Sequence, residues 1–160
     1  MDNQSDTRDM LEGFACSIEQ LTDTIRNIAR IEEEKAEAAS QGRHDRMDDI
    51  LKREQVYILK LRGLEQKRLR LADAMGFKGL TFRQILNQAT QEQEDRLSPL
   101  FTDLDSQVGY LKEVKDTAER MIHVRLREFN QILSAASGEG YDETGNLTMG
   151  SSSLFHDRYV

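Results

Sequence analysis

Several residue types are scarce in this chain. Its 160 residues include no tryptophan, one proline and one cysteine, and aromatic residues make up 6%. Because Cys16 has no partner for an intramolecular disulfide, it fits a reducing compartment. No run approaches the roughly 18 apolar residues of a membrane span, and the polar, acidic start does not resemble a secretory signal. These absences predict a cytoplasmic protein without membrane insertion.

Positive charge is also in short supply. The chain has 22 Lys and Arg against 29 Asp and Glu, a formal net charge of -7. This balance argues against general affinity for nucleic acid or for an anionic membrane surface, since both require clustered bases. The exception is a locally basic middle stretch: Lys52, Arg53, Lys60, Arg62, Lys67, Arg68 and Arg70. We interpret it as the solvated face of a helix, with an acidic-partner site as the alternative.

Motifs for catalysis and metal binding are missing as well. The histidines are His44, His123 and His156. A di-iron bundle needs Glu-x-x-His pairs, whereas Glu119 and His123 are four residues apart and have no second pair. Gly76 and Gly79 lack the context of a phosphate loop, and Cys16 has no nearby histidine. We therefore predict no enzymatic activity, no metal and no cofactor, with His123 on the flank of a helix.

What the sequence does contain is three long runs of helical heptads. The first is a stripe about 100° wide, which predicts packing along one neighbour rather than a buried central helix. In the second run, Glu54 and Arg68 interrupt the apolar seam. The first stripe consists of Leu11, Phe14, Ile18, Leu21, Ile25 and Ile28; the third run extends from Leu100 to Leu133.

Local signals divide these runs. Gly42 suits a left-handed helix end, and Gly76 and Gly79 end the second run. Asp45 is a candidate cap for the next helix, and Thr81 with Gln84 forms a capping-box pattern. Pro99 predicts the first turn of the last helix, with a continuous helix from Thr90 as the alternative. The predicted helices cover residues about 8–41, 45–75, 82–90 and 98–134.

These signals predict an all-α, antiparallel bundle of three long helices plus one short helix. The bundle corresponds to residues 1–133. Residues 134–160 are rich in Ser, Gly, Thr and Asn, with four acids against one base. Such a segment has too little apolar surface to offset the entropy of ordering, so we predict a disordered C-terminal tail.

The last helix has an unusually wide apolar arc. Between Ala118 and Leu133 the apolar side chains span about 200°, twice the width of the first stripe. One interpretation places this helix between two others, with both sides buried. The other leaves part of the arc open as a groove for a partner's amphipathic helix.

The chain as a whole resembles the FlgN family of bacterial flagellar export chaperones. The similarity rests on four segments: the turn QGRHDRMDDILKREQ, the run LRGLEQKRLRLADAMG, the short helix TFRQIL and the tail YDETG…FHDRYV. The most telling parts are Glu54-Gln55, Leu64-Glu65 and the Tyr-Asp…Gly pattern of the tail.

The resemblance implies a cytoplasmic helical bundle that binds the hook-associated proteins of the hook–filament junction. It would keep their terminal helices from associating early and escort them to the type III export gate. The implied contact with the gate is Tyr141. The implied client-binding residues are Met121, Ile122, Val124, Leu126, Phe129, Ile132 and Leu133. A second hypothesis is a structural coiled-coil scaffold that forms a homodimer through the stripe of residues 11–28.

Overall fold

The computed structural model describes residues 2–137, and every regular element in that range is a helix. The four helices are α1 (Asp2–Ser40), α2 (His44–Ala74), α3 (Phe82–Gln88) and α4 (Gln91–Ser137). The prediction of an all-α fold with three long helices and one short helix is confirmed. The chain divides into a first unit that ends at Arg125 and a second that begins at Leu126. The packing described below is that of the first unit.

Helices α1 and α2 each end two residues before a glycine that the sequence predicts as a helix end. Gly42 and Gly76 have φ angles of 65° and 82°, a left-handed conformation that costs glycine little. At the end of α1, the Arg43 amide donates to the Ala38 carbonyl at 2.9 Å, as in a Schellman motif. Arg43 is also the N-cap of α2 and makes no side-chain cap hydrogen bond. The prediction that Asp45 caps α2 is therefore wrong, because α2 begins one residue earlier and places Asp45 in its first turn.

The start of α4 differs from the preferred sequence prediction. The hydroxyl of Thr90 accepts a hydrogen bond from the Gln93 amide at 3.3 Å, and the Gln93 side chain accepts one from the Thr90 amide at 3.0 Å. This capping box starts the helix eight residues before Pro99, which lies inside it. The alternative of a continuous helix from Thr90 is thus the correct one. The predicted capping box of Thr81 and Gln84 is confirmed at the start of α3.

Helices α1, α2 and α4 run up, down and up, in agreement with the predicted antiparallel bundle. A three-residue connection makes α1 and α2 a hairpin, whereas polar pairs show that α4 runs parallel to α1. Three of these pairs join residues 77 positions apart in sequence: Glu19 with Arg96, Arg26 with Asp103, and Glu33 with Tyr110. Successive pairs are seven residues apart, the period of coiled-coil packing.

Helix α1 is the central element of the first unit, which overturns the expectation that its stripe packs along one neighbour. The predicted apolar stripe is buried, and so are Ala15, Ser17, Thr22, Thr24 and Ala29. The hydroxyls of Ser17, Thr22 and Thr24 each donate to a carbonyl three or four residues earlier in α1. Since these polar groups are satisfied within the helix, they can face a neighbouring helix at little cost.

Aromatic side chains close the core at one end. Phe14 is fully buried and lies 6.4 Å, between ring centroids, from both Phe77 and Phe101. Phe82 of α3 stacks on Phe101, with 4.3 Å between the ring centroids. The Arg68 guanidinium lies over the Phe82 ring, 5.4 Å from its centroid. Arg68 thus interrupts the apolar seam of α2 because it covers the short helix α3.

Candidate functional site

The apolar residues of α4 change environment at Ala118. Before this point, Leu97, Phe101 and Leu104 are buried, and Ala118 itself is fully buried. Beyond it, still within the first unit, Met121 is 40% exposed and Val124 47%, while Ile122 is half-buried. The interpretation in which both sides of this helix are buried between two others is therefore wrong for these residues.

The described part of the second unit is the helical segment 126–137. Each of its large apolar residues exposes about half of its surface or more: Leu126 49%, Phe129 56%, Ile132 65% and Leu133 50%. At 100° per residue they cover about 120° of the helix surface. Large apolar side chains exposed as a group, rather than singly, mark interaction sites.

Arg125 ties α4 to the end of α1. Its guanidinium donates to the backbone carbonyl of Ala39 at 3.0 Å and also to that of Ser40. The last turn of α1 contains no basic residue of its own. A cation supplied by a different helix satisfies the terminal carbonyls and is favoured by the negative end of the helix dipole. This contact lies seven residues beyond Ala118, so α4 still touches the end of α1 after its apolar residues have become exposed.

A polar cluster lies between α1 and α2. The Lys35 ammonium is 3.1 Å from a Glu32 carboxylate oxygen and 2.8 Å from one of Glu54. Glu32 is 2% exposed, and its Oε2 makes no hydrogen bond with any described residue. Burial raises the pKa of Glu32 to about 7, and the nearby Glu54 carboxylate adds to this shift against the opposing effect of Lys35. Glu54, which interrupts the sequence seam, is thus the partner of a half-buried lysine.

The described residues contain no arrangement typical of a metal or catalytic centre. No group of three or more His, Cys, Asp or Glu side chains within residues 2–137 could hold a metal ion. His123 is exposed and shares a shallow depression with Asp116, Glu119 and Arg120, all on one helix. Cys16 is exposed. In this part of the chain, no helix has the length and apolarity needed to cross a bilayer.

The structure therefore exposes six of the seven predicted client-binding residues, with Ile122 half-buried. Tyr141 and most of the predicted tail lie outside the described residues; residues 134–137 belong to α4. By contrast, the stripe of residues 11–28 is buried within the bundle. A homodimer formed through this stripe is incompatible with the fold, because its side chains already pack against α2 and α4.

Sequence analysis missed one exposed apolar feature. Val56 and Leu59 of α2 are 64% and 65% exposed. Both residues lie outside the inward apolar seam of α2, which is the seam that the second run of heptads predicts. Residues spaced alternately four and three apart on the opposite side of α2 form a second stripe, and this spacing is the sequence signal that identifies them.

Comparison with known proteins identifies the family. The family model described as FlgN protein matches residues 10–148. No curated protein and no solved structure matches the chain. Since the match covers most of the 160 residues, this chain belongs to the FlgN family, whose members are chaperones of flagellum biogenesis.

Proposed function

We propose that this protein is a cytoplasmic type III export chaperone for the hook-associated proteins of the flagellum. It binds the terminal helices of these clients, prevents their premature association and escorts them to the export gate. Membership of the FlgN family supports the general role. The observation that supports helix binding is that α4 exposes large apolar residues in each unit: Met121 and Val124 in the first, and Leu126, Phe129, Ile132 and Leu133 in the second.

The client-binding residues in this proposal are Met121, Ile122, Val124, Leu126, Phe129, Ile132 and Leu133. An amphipathic helix binds such a surface by burying anchors spaced three, four and seven residues apart. Burial contributes about 25 cal/mol per Å² of apolar area. Each of the large exposed side chains therefore offers free energy on binding that the isolated protein does not use.

The test is co-purification with a hook-associated protein, using Val124→Asp. This side chain is 47% exposed, so a charge there leaves the fold intact but opposes burial against an apolar helix. We expect capture of the client to fall by about tenfold or more, as for loss of a central apolar contact. The matched control is Val56→Asp on α2, where valine is 64% exposed. If Val124→Asp captured the client as well as Val56→Asp and the natural protein do, the client would not bind this part of α4.

For delivery to the gate, we propose that Tyr141 makes the contact. This proposal rests on the family resemblance of the Tyr-Asp…Gly segment. The short contacts of a segment poor in apolar residues give modest affinity, which suits release during export. Deletion of residues 138–160, or Tyr141→Ala alone, is expected to leave client capture unchanged and to lower client secretion. Unchanged secretion in both variants would contradict a role for the segment.

A further inference from the structure

A second surface lies on the outer face of α2. Residues at alternating steps of four and three face outwards within an arc of about 80°. They are all exposed: Lys52, Val56, Leu59, Gly63, Gln66 and Arg70. We refer to these six residues as the α2 outer stripe. Val56 and Leu59 form its apolar centre, since each exposes about two-thirds of its surface.

The charge around this stripe has one sign. Every charged residue that is exposed between positions 52 and 70 is basic: Lys52, Lys60, Arg62, Lys67 and Arg70. None of the five forms an ion pair with another described residue. The two acids of this stretch, Glu54 and Glu65, are half-buried and paired with Lys35 and Arg68. The chain as a whole has a net charge of -7, so this uniformly basic face is opposite in sign to the charge of the whole chain.

Gly63 is a third feature of the stripe. It lies inside α2, where glycine costs about 1 kcal/mol relative to alanine. A Cβ at this position would meet nothing within 4 Å, so the packing of the described chain does not require glycine. The missing side chain leaves a gap next to Leu59 through which another helix backbone can approach closely, as at small-residue helix contacts.

We propose that the α2 outer stripe binds an acidic amphipathic helix of a partner protein other than the client. The partner's apolar seam would pack on Val56 and Leu59 and pass close to Gly63. Its flanking Asp and Glu side chains would pair with Lys60, Arg62 and Lys67, as charges flanking a coiled-coil seam do. This inference does not depend on the client surface of α4.

Charge complementarity selects this occupant over two others. A second copy of the chain that docked α2 against α2 would oppose five bases with five bases, which is unfavourable. An anionic membrane would attract the bases, but the stripe offers only two large apolar side chains for insertion, and the whole chain is acidic. The gap at Gly63 suits the close approach of a helix and offers nothing to a membrane, so charge is what disfavours a second copy.

The probe for this proposal is a labelled synthetic helix of about three heptads with leucine at the seam and glutamate on both flanks. Fluorescence anisotropy measures its binding to the full-length protein, and a matched peptide with lysine in place of glutamate is the control. We expect binding of the glutamate peptide only. The double substitution Lys60→Glu, Lys67→Glu should weaken it by about tenfold or more.

Gly63→Gln separates helix docking from simple charge attraction. Its bulky, uncharged side chain should hold the partner backbone away and lower the affinity by about tenfold, comparable to the loss of a central interface contact. The control is Gly109→Gln on α4, where a Cβ also meets nothing within 4 Å. Both variants should melt no earlier than the natural protein, because glutamine favours helices more than glycine.

Three outcomes would overturn the proposal. The first is unchanged affinity of Gly63→Gln for the glutamate peptide. The second is equal binding of the lysine peptide. The third is binding to phosphatidylserine vesicles that the double substitution abolishes, which would assign the stripe to a membrane. Capture of a hook-associated client by Gly63→Gln is expected to match the natural protein, so this result is independent of the function proposed for α4.

Discussion

Helix α1 and the end of α4 both carry apolar residues at helical spacing, yet their surroundings are opposite. The apolar stripe of α1 is narrow, but the helix is buried on more than one side. The arc of α4 beyond Ala118 is about twice as wide, and its large side chains are exposed. The width of an apolar arc thus reports how much surface could be buried, and not how much the chain itself buries.

The strongest test of this contrast exchanges a phenylalanine for alanine in each region. Phe14→Ala should lower the free energy of unfolding by about 3–5 kcal/mol, because it opens a cavity in a close-packed core. Phe129→Ala should change it by less than about 0.5 kcal/mol, as for an exposed residue. Urea unfolding followed by circular dichroism measures both. A large loss for Phe129→Ala would show that the end of α4 is packed in solution.

A second test concerns the small polar residues that widen the buried face of α1. Ser17 is fully buried, so Ser17→Leu should overpack the contact with a neighbouring helix and destabilise the protein by about 1–3 kcal/mol. Ser106→Leu, at an exposed position of α4, is the control and should have almost no effect on unfolding. If the two variants had equal stability, Ser17 would not face a neighbouring helix.

The smallest expected effect concerns the buried carboxyl of α1. The pKa of Glu32 is raised from 4.5 to about 7, so its protonated form favours folding. The contribution of this carboxyl to the stability of the fold is fully present below about pH 4.5 and is lost as the pH rises through about 7. Between pH 5 and pH 8, the free energy of unfolding of Glu32→Gln should therefore rise by about 1–2 kcal/mol relative to that of the natural protein. A difference that stays constant over this range would exclude titration of Glu32.

Most helix boundaries could be predicted because single residues determine them. Gly42 and Gly76 adopt left-handed conformations that few other residues adopt, and the Thr81 box is a local hydrogen-bonding pattern. The same pattern at Thr90 and Gln93 competes with the signal of Pro99, because proline is common in the first turn of a helix and therefore favours a start there. Proline also fits within a helix when the carbonyl it leaves unpaired can be solvated.

Burial was harder to predict than helix position. Ser17, Thr22 and Thr24 count as polar in any pattern, yet each hydroxyl is satisfied by its own helix. Conversely, periodicity identified the apolar residues of α4 but could not indicate whether another helix of the same chain reaches them. The ion pair of Glu54 with Lys35 was not predictable either, since the two residues lie on different helices. Whether the exposed residues of α4 bind a client stays a prediction.

The α1–α4 pairs join residues 77 to 86 positions apart in sequence, and this has a consequence for how the chain folds. The α1–α2 hairpin closes a three-residue connection, whereas each α1–α4 pair closes a loop of about half the chain, at a greater entropic cost. During synthesis, one side of α1 stays uncovered until residues beyond 100 have left the ribosome. We therefore expect the hairpin to form first and the docking of α4 to limit the folding rate. In hydrogen exchange, the amides of α4 should then open at lower free energy than those of α1.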